Sequence, residues 1–326
     1  MNKSRFLNLS AGIMHRSIFF TLINLFSFQL VFSQIQWRKV DSVYQPLPLS
    51  VHVYRAEDSL NGKLFVGYYL AAKLKDRKLN FDVRIGEGKR FTPSQYYLRE
   101  HFPLVVLNGG YFSMVTNENL GVIIRHGKLL AFNTTSLKGA GRDSTLYYYI
   151  TRSAIGIDKK RNADVAWVFT VPGKHKVYAF ESAPVMAKNE YTHPDIFDLK
   201  DVDWKWWKMQ TAIGGGPTLL HDGEIAISDI EEQVPGGNKP NARTAIGYTL
   251  DGRLIILVTQ GTDAGNQDGV TFGEEAKILK DIGCTEALNL DGGKSSCLLI
   301  NGKETIKPAD KRGEAEVASV FLIYLQ

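Results

Sequence analysis

Residues 287–296 read Ala-Leu-Asn-Leu-Asp-Gly-Gly-Lys-Ser-Ser. They place a carboxylate, two glycines that bare their backbone N–H groups, a cation and two hydroxyls after an apolar strand. Such a set can hold an oxyanion beside a reacting bond. A bare structural turn needs only the glycines. The one-carboxylate reading makes Asp291 the group that activates water or stabilises a developing cation, against the plainer reading of an Asx-type turn residue bonding its own loop.

The elements needed to position this loop are legible nearby. Thr271-Phe272-Gly273-Glu274 carries the capping logic of a helix start, and Gly283 follows as a stop. Thr92-Pro93-Ser94-Gln95 does the same for a helix over Pro93 to His101. Period-two alternation at Ser50 to Arg55, and apolar runs at Lys63 to Tyr69 and Leu79 to Ile85, predict strands. Three segments share the plan strand, glycine loop, strand, tight turn: Val105 to Lys128, Ala212 to Glu224 and Leu288 to Lys303. Their glycine pairs are expected to converge on one edge of a sheet. The fold class expected is α+β, a β-rich mixed sheet core with few helices, in one domain over 48–326 after an extension at 34–47.

Four motifs in order, Leu107-Asn108-Gly109-Gly110-Tyr111-Phe112, Ile213-Gly214-Gly215-Gly216-Pro217, Arg243-Thr244-Ala245-Ile246-Gly247 with Asp251-Gly252, and residues 287–296, resemble the phosphodiester glycosidase family. The resemblance runs from about Pro48 to the C-terminus. It implies hydrolysis of a sugar joined through its anomeric oxygen to a phosphodiester, with a phosphorylated glycan as partner and no cofactor. It implies a site built by the loops after Leu107, Ile213, Thr259 and Leu290. Catalytic roles fall on Asp291, Asn108 and Arg243. Substrate contacts fall on Gly109, Gly110, Tyr111, Gly215, Gly216, Thr244, Gln260, Asn289, Gly292, Gly293, Lys294, Ser295 and Ser296. Two departures from the family pattern stand out, Lys294 in place of a third glycine and Gln260-Gly261-Thr262 in place of Asp-Gly-Arg.

The residue chemistry fits that reading independently. Arg243 offers a planar fork of donors suited to phosphodiester oxygens. The N–H groups of Gly109, Gly110, Gly292 and Gly293 are expected to complete a cradle, with Asn108 and Asn289 orienting sugar or water. Ordinary glycosidases need two carboxyl groups. A phosphate monoester leaves as a stable anion with a second pKa of about 6, so one carboxylate suffices.

Composition excludes other classes. Ile18 to Phe32 is an uncharged apolar run behind Lys3, Arg5 and Arg16, shorter than the roughly 20 residues a spanning helix needs. Residues 1–33 therefore read as a secretory signal, and the mature protein as periplasmic or secreted with no membrane span. Losing them lowers the formal net charge from +5 to +2. No basic run points to nucleic acid. Cys284 and Cys297 flank the Asp291 loop, either bridged or as two buried thiols, and no residue spacing is of metal type. A divalent cation near Asp291 is the minor alternative. Residues 264–275 approach a calcium loop but lack the first ligand. Trp204, Trp206 and Trp207, among Asp195, Asp198, Asp201 and Asp203, are either a packed insertion or a sugar contact. The rival functions are a phosphodiesterase cleaving at phosphorus and a non-catalytic glycan-binding protein.

Overall fold

Along Arg253–Thr259 the side chains of Leu254, Ile256 and Val258 enter one hydrophobic cluster, while Ile255 and Leu257 enter another. This is the period-two pattern of a strand buried on both faces. Val105 and Leu107 alternate with Val106, and Phe321 and Ile323 with Val320 and Leu322, in the same way. These strands belong to a computed structural model that describes residues 35–326, apart from 140, 142–143, 172, 184–186, 190–203 and 262–267 and the side chains of 187–189. The apolar run at 18–32, the aspartates at 195, 198, 201 and 203, Thr262 and the start of the calcium-like loop lie outside the described residues.

Three large sheets share the main core. One has eight strands and runs from Arg38–Lys39 through Lys63–Lys73, Arg253–Thr259, Arg243–Thr249 and Cys284–Asn289 to Glu224–Ile225. A seven-stranded sheet contains Arg152–Ile157, Thr211–Gly214 and Ile123–Arg125, and a five-stranded one centres on Val105–Asn108 and Ser319–Leu325. The main cluster takes Ile246 and Leu288 from the first, Ile155 and Ile213 from the second, and Leu107 and Phe321 from the third. Tyr44 joins it too, with Val40 and Leu47 packed against it, so the described part of the extension packs on the rest.

Two α-helices are present among the described residues, and each plugs the outer face of a sheet. Helix α1 (Pro93–Arg99) has both halves of its capping box, Gln95 N–H to the Thr92 hydroxyl at 3.2 Å and Thr92 N–H to Gln95 Oε1 at 2.9 Å. It ends two residues short of the expected His101, because His101 and Phe102 take left-handed backbone at φ 58° and 62°. Helix α2 (Phe272–Ile282) has the same box between Thr271 and Glu274 and stops at Gly283, φ 100°. Its Phe272, Ala276, Ile278 and Leu279 pack on the eight-stranded sheet.

The three strand–loop–strand–turn units are present, and each closes on a two-residue hairpin. His126-Gly127, Asp222-Gly223 and Asn301-Gly302 all have positive φ at both positions, the hairpin geometry that matches strand twist. Two expectations need correction. The leading strands of the three units lie in three different sheets, so their loops meet at a sheet junction rather than along one edge. Every pairing between described strands is antiparallel rather than mixed, in hairpin neighbours such as Arg243–Thr249 with Arg253–Thr259 and in distant pairs such as Val105–Asn108 with Ser319–Leu325 alike. Cys284 and Cys297 are free thiols, not a bridge. Trp207 is buried with its indole N–H on Asp164 at 2.5 Å, whereas Trp204 and Trp206 stay half exposed.

Candidate active site

The three glycine loops touch backbone to backbone. A Cβ on Gly110 would stand 1.9 Å from the Gly214 carbonyl oxygen, and one on Gly215 would stand 2.4 Å from that of Asn289. Neither contact is sterically allowed, so glycine is required by proximity. Hydrogen bonds lock the same crossing, Gly216 N–H to Asn289 O at 2.8 Å and Asp291 N–H to Gly109 O at 3.2 Å.

Asn108 stands behind this crossing, fully buried. Its amide N–H groups donate to the carbonyls of Asp291 (2.7 Å) and Gly109 (3.2 Å). Its carbonyl accepts from the Thr244 hydroxyl (2.9 Å) and the Cys297 N–H (3.0 Å). That fills its two donors and two lone pairs. Asn108 therefore fixes the Asp291 loop and has no group left for substrate, and buried Thr244 likewise serves Asn108. Asn289, also fully buried, donates to the Tyr111 hydroxyl and the Gly216 carbonyl, both at 2.9 Å. Its Oδ1 has no partner among the described residues. The Tyr111 hydroxyl in turn donates to Gly216 O at 2.8 Å.

Asp291 emerges half-buried from this frame. Burial pushes its carboxyl up to about 6, against the opposing pull of the Ser295 hydroxyl and the Gly292 N–H. Ser296 is buried, and its hydroxyl has no partner among the described residues. Lys294 turns outward to Asp310, 3.3 Å away, and not into the site. Gln260 is buried beside the 307 segment, where its Oε1 accepts from Lys307 N–H at 3.3 Å.

Three of the four amides of the expected cradle are already spent. Gly109 N–H donates to Ser319 O at 2.9 Å and Gly293 N–H to Ala242 O at 2.8 Å, because both continue ladder contacts. Gly292 N–H serves Asp291 itself. Arg243 is also more engaged than its fork implies. Its Nε donates to Val270 O at 3.1 Å and its Nη2 to Lys239 O at 2.9 Å and Gly236 O at 3.3 Å, over the Phe272 ring at 4.1 Å. Only Nη1 lacks a hydrogen bond among the described residues.

Three charged residues here were not singled out from the sequence. Arg152 is buried with its guanidinium 5.4 Å from the Tyr111 ring centroid, and its Nε has no partner among the described residues. Burial lowers its pKa. Glu275 is fully buried on α2 with both carboxyl oxygens unpartnered, and burial raises it to about 8 despite the opposing charge of Arg243. Glu232, also fully buried, accepts five hydrogen bonds beside Gly216. Glu275 had a signal, since it shares the apolar face with Phe272, Ala276 and Leu279. Charges from Asp291, Arg152, Arg243 and Glu275 all act on the Tyr111 hydroxyl, whose pKa burial raises. Among the described residues, the one trio of ligand atoms close enough for a metal is His221, Asp222 and Glu286, not a group at Asp291.

The family described as NAGPA, phosphodiester glycosidase, matches residues 102–324. The mouse N-acetylglucosamine-1-phosphodiester alpha-N-acetylglucosaminidase is 27% identical over 214 residues, which is 63% of this chain and 33% of that protein. Its human counterpart is 36% identical over 109 residues, 30% of this chain and 21% of that protein. The mouse match thus spans about a third of that protein's length. Among solved structures, the zebrafish catalytic domain of that name, auto-inhibited by its pro-peptide, superposes with a TM-score of 0.58 at 22% identity, covering 90% of this chain and 89% of that one. A hypothetical protein from Synechocystis gives 0.59 at 13% identity over 89% of this chain and 64% of its own.

Proposed function

The chain belongs to the phosphodiester glycosidase family, and on that premise we propose that it hydrolyses the bond between a sugar's anomeric carbon and a phosphodiester. The observation that carries this reading is Asp291, a half-buried carboxyl raised to about 6 where three glycine loops cross. In its ionised form it takes a proton from water as the water oxygen bonds to the anomeric carbon. The carbon–oxygen bond to phosphorus breaks, and the phosphate monoester leaves with the bridging oxygen. That leaving group is stable as an anion, so a second carboxyl acid is not required.

Arg152 and the Nη1 of Arg243 supply positive charge around Tyr111 for the phosphodiester. Asn108 and Asn289 act from behind, holding the Asp291 loop and the phenol. No divalent cation or other cofactor enters this scheme. N-Acetylglucosamine 1-phosphodiester, named in the mouse and human relatives, is the first substrate to try. We place the reaction outside the cytoplasm, in envelope or extracellular glycan metabolism, on the strength of the apolar run at 18–32. No helix among the described residues is long and apolar enough to cross a membrane.

Hydrolysis in oxygen-18 water tests the reading. Label is expected in the released sugar, and label in phosphate would mean cleavage at phosphorus. Asp291→Asn should lower kcat about 10²–10⁴-fold. The wild-type rate should climb with pH through about 6 as Asp291 ionises. No turnover of any sugar phosphodiester by the wild type would leave only a binding role.

A further inference from the structure

At the opposite end of the Thr211–Gly214 strand from the glycine crossing, a groove of about 590 Å³ opens beside Met209 and Gln210. Strand rise of about 3.3 Å per residue puts it roughly 15 Å from Gly214 along that direction. Its floor is apolar, with Leu129, Val177, Trp207 and Met209 all part of one hydrophobic cluster. Its rim is basic. Lys159, Lys160, Lys208 and His175 line it, and none of them has an acidic partner among the described residues. The single lining carboxylate, Asp158, already accepts from the backbone and side chain of Asn162 at 2.8 and 3.0 Å.

Trp206, 49% exposed, organises the cations at the mouth. The Lys208 ammonium stands 4.1 Å and that of Lys176 5.0 Å from its ring centroid. An indole holds ammonium groups in this way without neutralising them. The groove therefore combines a volume in the range of small-molecule sites, an apolar floor and unneutralised positive charge. A simple inorganic anion would use only the rim. A ligand matching both parts has apolar ring faces and negative substituents.

We propose that this groove binds an anionic oligosaccharide, at a site separate from Asp291. The choice of sugar over other organic anions rests on the proposed function; the charge and the floor do not. Sugar C–H faces lie on Met209 and Leu129, and phosphate or carboxylate groups meet Lys159, Lys160 and Lys208. Such a site would anchor a long glycan and leave short substrates unaffected.

Calorimetric titration of pentamannosyl phosphate, uncharged pentamannose and tripolyphosphate onto the full protein tests this. The phosphorylated sugar should bind, and bind more tightly than either other probe. The triple variant Lys159→Ser/Lys160→Ser/Lys208→Ser should weaken it at least tenfold, and Trp206→Ala several-fold. Hydrolysis of a small sugar 1-phosphodiester by the triple variant should keep its wild-type kcat/KM. No binding, equal binding by the triple variant, or tripolyphosphate binding as tightly as the sugar would overturn the proposal. A wild type that binds in the groove but hydrolyses nothing would instead overturn the activity reading alone.

Discussion

Two fully buried glutamates lie near the glycine crossing, and they are treated in opposite ways. Glu232 accepts from Ser153 N–H (2.8 Å) and hydroxyl (3.0 Å), the Trp167 indole (3.0 Å), Thr218 N–H (2.9 Å) and the Ser228 hydroxyl (2.6 Å). Glu275 accepts from nothing among the described residues. Burial raises both pKa values, but at Glu232 the hydrogen bonds from Ser228, Ser153 and Thr218 pull back toward the ionised form. The lesson is that equal burial can leave one carboxyl saturated with donors on one side of a site and another without a donor among the described residues on the other. Around Glu232 the seven-stranded and eight-stranded sheets are tied together. Around Glu275 the carboxyl stays protonated at neutral pH, so Arg243 keeps its positive charge unneutralised.

The sharpest way to break this comparison is Glu232→Ala. It would strand five buried donors, and it should cost about 5 kcal/mol or more. Urea unfolding at pH 7 reads this directly, and a loss below about 1 kcal/mol would show that the donors find other partners. Glu275→Gln is the converse. The folded chain keeps a proton on Glu275 up to about 8, whereas the unfolded chain releases it near 4.5. Wild-type stability should therefore fall as pH rises through that window, by roughly 5 kcal/mol. The Gln variant should lack that fall, equalling the wild type near pH 5 and exceeding it near pH 9. Parallel unfolding curves from pH 5 to 9 would mean Glu275 is paired after all. The smallest effect belongs to Ser228→Ala, which removes one of the five donors and should cost about 1.5–3 kcal/mol at pH 7. A cost equal to that of Glu232→Ala would mean that Ser228, not the carboxylate, is the tie.

What the sequence disclosed was local. Both capping boxes, the Gly283 stop and the three hairpin turns follow from side chains within four positions of one another. The glycine loops announced themselves as well, and they do meet. Their assignment to three sheets was hidden, because it depends on strand pairings far along the chain, Asn108 with Val320, Gly214 with Ala154 and Asn289 with Ala245. The engagement of Asn108 was hidden for the same reason, as its partners come from positions 244, 291 and 297. Glu232, in the run Asp229-Ile230-Glu231-Glu232, looks like a solvated acid until Ser153 and Trp167 close over it. Glu275 could have been found, being the charged residue on the apolar face of α2. Lys294 drew notice as a departure from the family pattern, but its outward turn is set by Asp310, sixteen residues on.

The bonds of Asn108 also set a timetable. Its partners Thr244, Asp291 and Cys297 stand 136, 183 and 189 positions along the chain, and its own strand pairs with Ser319–Leu325. Contacts that distant form slowly, because the intervening loop must close first. A ribosome extending the chain therefore carries no assembled site until residue 325 has emerged. The helices and hairpins can form in passing, while the site closes only once Ser319–Leu325 is there to pair with the strand that carries Asn108.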